Sequence, residues 1–191
     1  MNIPRAIQPD ILKKLQPNKV VVIYGPRQVG KTTLLHHIIP QLKEDYLFLS
    51  GEDRAVQPWI SSQSIETLKE NIGKKQILII DEAQKVPKIG LNLKLIVDHI
   101  KNIKVIATGS SSFELAFQVG EPLVGRKWQF YLYPIAQLEL NQLEAPYQTK
   151  SRLESRLIYG AYPEVITTKD VALKRELLNL IVDNYLYLSL I

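Results

Sequence analysis

Short apolar runs alternate with stretches of helical spacing along most of the chain. Four of these runs lead into Gly, Ser, Asp or Thr, and such runs are typical of strands that are buried on both faces of a parallel sheet. Between them, apolar residues recur at helical spacing, as at Leu34, Leu35 and Ile38. The alternation predicts βαβ units and an α/β fold. The four predicted strands are residues 20–24, 46–49, 77–80 and 104–108.

A fifth run predicts a strand of another kind. Its apolar residues Trp128, Phe130 and Leu132 alternate with Gln129 and Tyr131. Because neighbouring side chains of a strand point to opposite faces, this alternation indicates an edge strand with one wetter face.

The end of the chain is expected to be helical, over residues 151–158 and 170–191. We therefore predict a core domain over residues 1–145 and a helical appendage over residues 146–191. The last residues, "NYLYLSLI", are apolar and carry no helix stop signal. Such an ending indicates a fragment, a truncated gene, or an end that is buried against a partner.

Composition narrows the class of protein. The 191 residues are 46% hydrophobic and include no cysteine, so disulfides and thiolate metal sites are excluded. No apolar run approaches the roughly 20 residues of a membrane-spanning helix, and the first ten residues lack a signal-peptide core. We expect a cytoplasmic protein with no membrane partner. The net charge of +5 leaves DNA open as a partner, but the lysines are spread along the chain, which favours a solvated basic surface.

The stretch "GPRQVGKT" carries the strongest chemical signal. It satisfies the spacing G-x-x-x-x-G-K-[ST] of a P-loop, or Walker A motif, between a predicted strand and a predicted helix. Glycines let the backbone turn its N–H groups inward around phosphates, and the helix adds its positive dipole end. Lys31 is expected to reach the β- and γ-phosphates of ATP, and the Thr32 hydroxyl to ligate Mg²⁺. The predicted nucleotide-binding residues are Gly25, Pro26, Arg27, Gln28, Val29, Gly30, Lys31, Thr32 and Thr33.

The stretch "ILIIDEAQ" matches a Walker B motif. A carboxylate at the carboxyl tip of a buried strand next to the P-loop strand can hold Mg²⁺, which is the role predicted for Asp81. Glu82 can orient or deprotonate a water that attacks the γ-phosphate. The alternative is that Asp81 caps the following helix and Glu82 is solvated.

The order of the strands resembles the P-loop class that inserts an additional strand and uses a catalytic glutamate. The resemblance implies that a strand between the P-loop strand and the Asp-Glu strand carries a polar residue that senses the γ-phosphate. Thr108 in "ATGSSS" is the candidate, with Ser110 close behind. The alternative is an ordinary serine-rich loop, above all at Ser111 and Ser112.

A more specific resemblance covers nearly the whole chain. "GPRQVGKTTLL", "IIDEAQKVP", "ATGSSSFEL", "GRKWQFYLYPIAQLE" and "YGAYPEV" follow one another in the order seen in a family of bacterial and archaeal ATPases of the AAA+ superfamily. The resemblance implies a three-layer P-loop NTPase core with a five-stranded parallel sheet in the order 5-1-4-3-2. It also implies ATP binding and hydrolysis, but no cellular task. Full-length relatives continue into a C-terminal domain of unknown function.

Two arginines are assigned by this resemblance. Arg126 in "VGRKW" matches an arginine of the family motif, so we expect it to contact the γ-phosphate, either within one chain or across a subunit interface of a homo-oligomer. The alternative is a surface arginine beside Lys127. Arg5, with Pro4, is expected near the adenine.

The sequence therefore predicts an Mg²⁺-dependent ATPase that drives a conformational change in an unknown partner protein. Lys31, Glu82, Thr108 and Arg126 are the predicted catalytic residues, with Thr32 and Asp81 at the metal. Two alternatives stay open: a P-loop kinase of a small molecule, and a switch that binds ATP with negligible turnover. The kinase requires an acceptor pocket and an arginine-bearing lid, whereas the adjacent acidic pair favours hydrolysis.

Overall fold

The computed structural model describes residues 3–110 and 119–183. Contacts within the chain divide it into two units. The larger unit comprises Ile7–Pro26 and Lys31–Leu132, and the smaller unit comprises Met1–Ala6, Arg27–Gly30 and Tyr133–Ile191. The predicted boundary at residue 145 stays a prediction.

A five-stranded parallel sheet forms the centre of the larger unit. Its order is β2-β3-β4-β1-β5, which is the order 5-1-4-3-2 read from the opposite edge. The three-layer α/β fold implied by the resemblance is confirmed. The strands are β1 (Lys19–Gly25), β2 (Tyr46–Ser50), β3 (Ile77–Asp81), β4 (Lys104–Ser110) and β5 (Lys127–Tyr131).

Helices of the larger unit connect these strands, as the βαβ pattern predicts. Two single turns of 3-10 helix, Ile39–Gln41 and Ala83–Lys85, follow α2 and β3 respectively. The helices are α1 (Gln8–Lys14), α2 (Lys31–Ile38), α3 (Gln57–Ile60), α4 (Ile65–Ile72) and α5 (Ile89–His99).

The core of the larger unit is built from the three central strands. Because β1, β3 and β4 have neighbours on both sides, their apolar residues are almost fully buried, as predicted. The edge strand β2 differs from the prediction of burial on both faces, since Tyr46 is 40% exposed. The predicted edge position of β5 is confirmed, but Trp128 is exposed despite its place on the predicted apolar face. The Lys14 ammonium lies 4.0 Å from the centre of its ring.

The smaller unit is helical in the part of the chain that the structure describes. Ile3, Ile135 and Leu140 form a small apolar cluster, against which Ile166 packs. The predicted helix 151–158 extends further in both directions, and residues 184–191 of the predicted helix 170–191 lie outside the described residues. The helices are α6 (Gln137–Leu140), α7 (Pro146–Tyr159), α8 (Pro163–Thr167) and α9 (Val171–Val182). None of the helices in residues 3–110 and 119–183 is long and apolar enough to span a membrane.

Candidate active site

The loop between β1 and α2 has the backbone that an anion-binding loop requires. Gln28 and Gly30 have left-handed conformations, with φ angles of 61° and 95°. Left-handed residues that alternate with right-handed ones turn successive N–H groups to the same side, which makes a concave anion site. Helix α2 begins at Lys31, directly after the loop, so its positive dipole end lies at the same place in the chain.

Lys31 is a buried cation held by backbone carbonyls at the start of the loop. Its side chain is only 4% exposed. The ammonium donates hydrogen bonds to the carbonyl oxygens of Gly25 and Pro26, each at a distance of 3.0 Å. It also lies 3.8 Å from the Glu82 carboxylate. The charge is therefore presented at the carboxyl end of β1.

Asp81, the last residue of β3, joins two hydroxyl groups. Thr32 donates a hydrogen bond to one carboxylate oxygen over 2.6 Å, and Thr108 donates to the other. Strand β3 is not adjacent to β1, because β4 lies between them, and Thr108 occupies that intervening strand as the resemblance implies. The carboxylate nevertheless reaches the first turn of α2, so the predicted metal ligands Thr32 and Asp81 are brought together.

Glu82 has a strained backbone at this site. Its φ and ψ angles of 50° and 44° are left-handed, a conformation that residues other than glycine seldom adopt and that is common at active sites. Its N–H donates to the Thr108 hydroxyl over 3.3 Å, and its carboxylate accepts a hydrogen bond of 2.5 Å from the amide of Gln84. Glu82 therefore contacts Lys31 through its carboxylate and Thr108 through its backbone N–H.

Comparison with known proteins agrees with this geometry. The profile of a family described as "AAA domain" matches residues 17–141. The chain belongs to this AAA domain family. Two curated relatives come from Methanocaldococcus jannaschii. The chain is 29% identical to the uncharacterized protein MJ1544, over 96% of this chain and 44% of that protein. It is 28% identical to the uncharacterized ATP-binding protein MJ1006, over 56% of this chain and 31% of that protein.

The chain spans less than half the length of these two curated relatives. Solved structures share its fold at low identity. The Walker-type ATPase PABY2304 of Pyrococcus abyssi has a TM-score of 0.62 at 15% identity, covering 99% of this chain and 75% of that one. The signal transduction ATPase with numerous domains PH0952 of Pyrococcus horikoshii has a TM-score of 0.55 at 19% identity, covering 89% and 30%.

Two residues that support Glu82 in the AAA domain were not predicted. Gly51 follows β2, and its N–H donates to the Asp81 carbonyl over 2.7 Å, so it packs directly on the acidic pair. Gln84, only 7% exposed, supplies the amide that holds the Glu82 carboxylate. A glycine directly after a strand was a weak signal for the first, and the motif "DEAQ" carried no signal for the second.

Arg5 supports the P-loop of the AAA domain from within the smaller unit. Its guanidinium donates to the Val29 carbonyl over 2.9 Å, to the Tyr133 carbonyl, and to Glu139 over 3.1 Å. Glu139 also accepts from the N–H groups of Ala6 and Ala136, so both oxygens of the buried carboxylate are hydrogen bonded. In the described residues, Arg5 contacts the loop backbone at Val29. The position of Arg5 and Pro4 near the adenine stays a prediction.

The structure does not bring Arg126 to the other predicted residues. Arg126 precedes the amino end of β5, and its carbonyl accepts from the N–H of Val20 near the start of β1. Five residues of strand separate Val20 from Gly25, or about 17 Å at 3.3 Å per residue. This is beyond the reach of an arginine, so contact with the γ-phosphate of the same chain is wrong. Its guanidinium pairs with Asp98 over 2.6 Å at a partly exposed position.

Burial shifts the pKa of two titratable groups on the neighbouring strands β1 and β5. Burial raises the pKa of the Tyr24 phenol, which lies directly before the P-loop and stacks on Tyr131 at 5.4 Å between ring centres. Burial lowers the pKa of Lys127, whose ammonium donates to the Val119 carbonyl over 3.2 Å. Tyr24 therefore stays neutral at physiological pH and packs as an aromatic group.

Proposed function

We propose that this AAA domain binds ATP with Mg²⁺ and hydrolyses it to drive a conformational change in a partner protein. The observation that carries the proposal is the 2.6 Å hydrogen bond between Thr32 and Asp81, beside Lys31 and Glu82. A hydroxyl, a carboxylate, a buried ammonium and a second carboxylate at the end of a glycine-bounded loop make up the set of groups that phosphoryl transfer from ATP to water requires. Family membership supports the same reading.

Nucleotide binding would use Lys31 and the loop N–H groups. The ammonium now donates to the carbonyls of Gly25 and Pro26, which are neutral acceptors. Phosphate oxygens are charged acceptors and form stronger hydrogen bonds, so exchange of these partners favours binding. The left-handed residues Gln28 and Gly30 keep the loop N–H groups available for the same anion.

Thr32 and Asp81 fit magnesium by their chemistry, since Mg²⁺ prefers hydroxyl, carboxylate and phosphate oxygens. Thr32 is solvent exposed, which allows its oxygen to take a ligand, while Asp81 is buried beneath it. When bound, Mg²⁺ neutralises phosphate charge and orients the leaving group.

Hydrolysis would use Glu82 as the general base. Its carboxylate accepts a proton from water while the water oxygen bonds to the γ-phosphorus and the bond to the β-γ bridging oxygen breaks, giving ADP and phosphate. The hydrogen bond from Gln84 and the left-handed backbone fix the direction of this carboxylate. Thr108, which contacts both Asp81 and the Glu82 N–H, would orient the water.

Arg126 would act across a subunit interface of a homo-oligomer, since its own chain offers it no route to the P-loop. A guanidinium from a neighbouring subunit stabilises the charge that develops on the γ-phosphate. Its present partner, Asp98, is partly exposed and can exchange with another anion.

Steady-state phosphate release from ATP, with and without DNA, tests the proposed function. Release that requires Mg²⁺ is the expected result. ATP binding without release would instead favour the nucleotide-dependent switch. Phosphate transfer to an added small molecule in place of water would favour the kinase. Stimulation by DNA would identify DNA as a partner.

A further inference from the structure

A cavity of about 470 Å³ lies in the smaller unit, among residues of α7, the turn after α8 and the start of α9. Its volume is in the range of cavities that hold small ligands, about 300–1,000 Å³. None of its lining residues belongs to the P-loop or to the proposed catalytic set. Its charged lining residues are Glu144, Arg152, Arg156, Lys169 and Lys174.

One of the four positive charges is neutralised inside the protein. Arg156 donates to both oxygens of the Glu144 carboxylate over 2.5 Å, and Arg152 donates to one of them over 2.6 Å. Burial acts to raise the pKa of Glu144, but the hydrogen bonds and charges of the two arginines outweigh it and hold that pKa below its usual value. Glu144 is therefore ionised at neutral pH, and three positive charges remain in excess.

The excess charges keep donors that the described protein does not use. The side chain of Arg152 is 52% exposed and bonds to Glu144 through a single N–H. Lys169 makes no hydrogen bond or ion pair with residues 3–110 or 119–183. Lys174 donates one hydrogen bond, to the Ser155 hydroxyl at 3.2 Å, and its ammonium lies 5.5 Å from the centre of the Tyr159 ring, which is outside the cavity lining. Like charges gathered around one cavity repel each other unless an anion offsets them.

We propose that this cavity is an anion-binding site for a small phosphorylated molecule without an aromatic base. Phosphate and diphosphate groups carry the two to three negative charges that the excess requires, and the planar fork of Arg152 matches their oxygens. The lining residues include no aromatic side chain on which a base could stack, which disfavours single-stranded nucleic acid.

Titration calorimetry with inorganic pyrophosphate tests this proposal. Because pyrophosphate can also enter a P-loop, the titration uses the Lys31→Ala chain, which separates this site from the proposed ATP site. The Lys31→Ala chain should still bind pyrophosphate. Addition of Lys169→Ala and Arg152→Ala should weaken binding by about tenfold or more, since hydrogen bonds to charged groups dominate such sites. Loss of all binding in Lys31→Ala alone would overturn the proposal.

The matched control is Arg175→Ala, next to Lys174 on α9 but outside the cavity lining, and it should leave affinity unchanged. If Arg152→Ala impairs folding, Lys169→Ala alone decides the result, because Lys169 makes no hydrogen bond or ion pair with residues 3–110 or 119–183 that this substitution would remove. Titration with citrate tests whether the cavity binds any trivalent anion. Titration with an oligothymidylate tests whether it binds nucleic acid. Binding of either as tight as that of pyrophosphate, or full affinity in the Lys169→Ala variant, would contradict the proposal.

Discussion

Gly51 lies against the backbone of Glu82 so closely that there is no room for a side chain between them. A Cβ atom on residue 51 would lie 3.0 Å from the Glu82 carbonyl carbon, 3.2 Å from the Asp81 carbonyl oxygen, and closer still to the Glu82 carbonyl oxygen. These atoms are backbone, so relief requires the Asp81-Glu82 segment to move. Gly51, directly after β2, therefore determines the position of Glu82, the proposed base.

Gly51→Ala should lower ATP turnover while ATP binding is kept. Displacement of a catalytic group by about 1 Å can cost about 100-fold in rate, so we expect a fall in kcat of about 10- to 100-fold, measured by phosphate release. The matched control is Gly120→Ala, where a Cβ meets nothing within 4 Å, and it should leave kcat unchanged. Equal kcat in both variants would show that Gly51 does not position Glu82.

Arg5→Ala should destabilise the fold more than removal of any exposed arginine. It leaves Glu139 as a buried carboxylate without its cation and removes a donor from the Val29 carbonyl, and breaking a buried pair costs about 3–5 kcal/mol. Arg126→Ala breaks a partly exposed pair, and such pairs are worth about 0–1 kcal/mol. Urea unfolding compares the two free energies, and similar losses would contradict the structural role of Arg5.

Most of the fold follows from the sequence because it depends on local patterns. The uninterrupted apolar residues of β1, β3 and β4 predict buried strands, and they are buried because each has two neighbours. The edge position of β2 depends on pairing with β3 alone, which its own residues do not encode. The contact of Trp128 with Lys14 likewise joins residues more than one hundred positions apart in the chain, so no local pattern encodes it.

The chemical groups of the site can also be predicted from motifs, whereas the residues that hold these groups in place cannot. Lys31, Thr32 and Asp81 belong to the Walker A and Walker B motifs, and Thr108 was assigned by the resemblance. The fold joins Thr32 and Thr108 through Asp81. Gly51 packs on the acidic pair only through the pairing of β2 with β3, a relation between distant segments.

The position of Arg126 depends on strand direction. The resemblance assigned a role to this arginine without saying at which edge of the sheet it lies. The parallel pairing of β5 with β1 places it at the amino edge, away from the P-loop. The possibility of action within one chain was therefore wrong, and the action across an interface stays a prediction.

Arg126→Ala should keep ATP binding and lose most turnover if the chain acts as an oligomer. Arginines that act on the γ-phosphate are worth about 10³ to 10⁵ in rate. Mixing Arg126→Ala with Lys31→Ala protein should restore part of the activity, because one mixed interface joins an intact P-loop to an intact arginine. Arg175→Ala, an exposed arginine, serves as the control. Wild-type turnover by Arg126→Ala would show that Arg126 is a surface arginine without a role in ATP hydrolysis.

Lys31→Ala should abolish ATP binding at concentrations that saturate the parent chain. The ammonium makes two hydrogen bonds to backbone carbonyls, and phosphate oxygens of ATP would replace these acceptors. Because hydrogen bonds to charged groups are worth about 1.5–3 kcal/mol each, the affinity for ATP should fall by about 100-fold or more. Calorimetry measures this, with the exposed Lys69→Ala as the control. Unchanged affinity in Lys31→Ala would remove the P-loop from the account.

The role of Glu82 as the base for ATP hydrolysis is the central claim, and Glu82→Gln tests it most directly. Glutamine keeps the size of the side chain but cannot accept the proton, so phosphate release should fall by about 10² to 10⁴. The same preparation should bind ATP as tightly as the parent, because binding rests on Lys31 and the loop. Parent-level phosphate release by Glu82→Gln, measured in steady state with saturating ATP and Mg²⁺, would contradict the account.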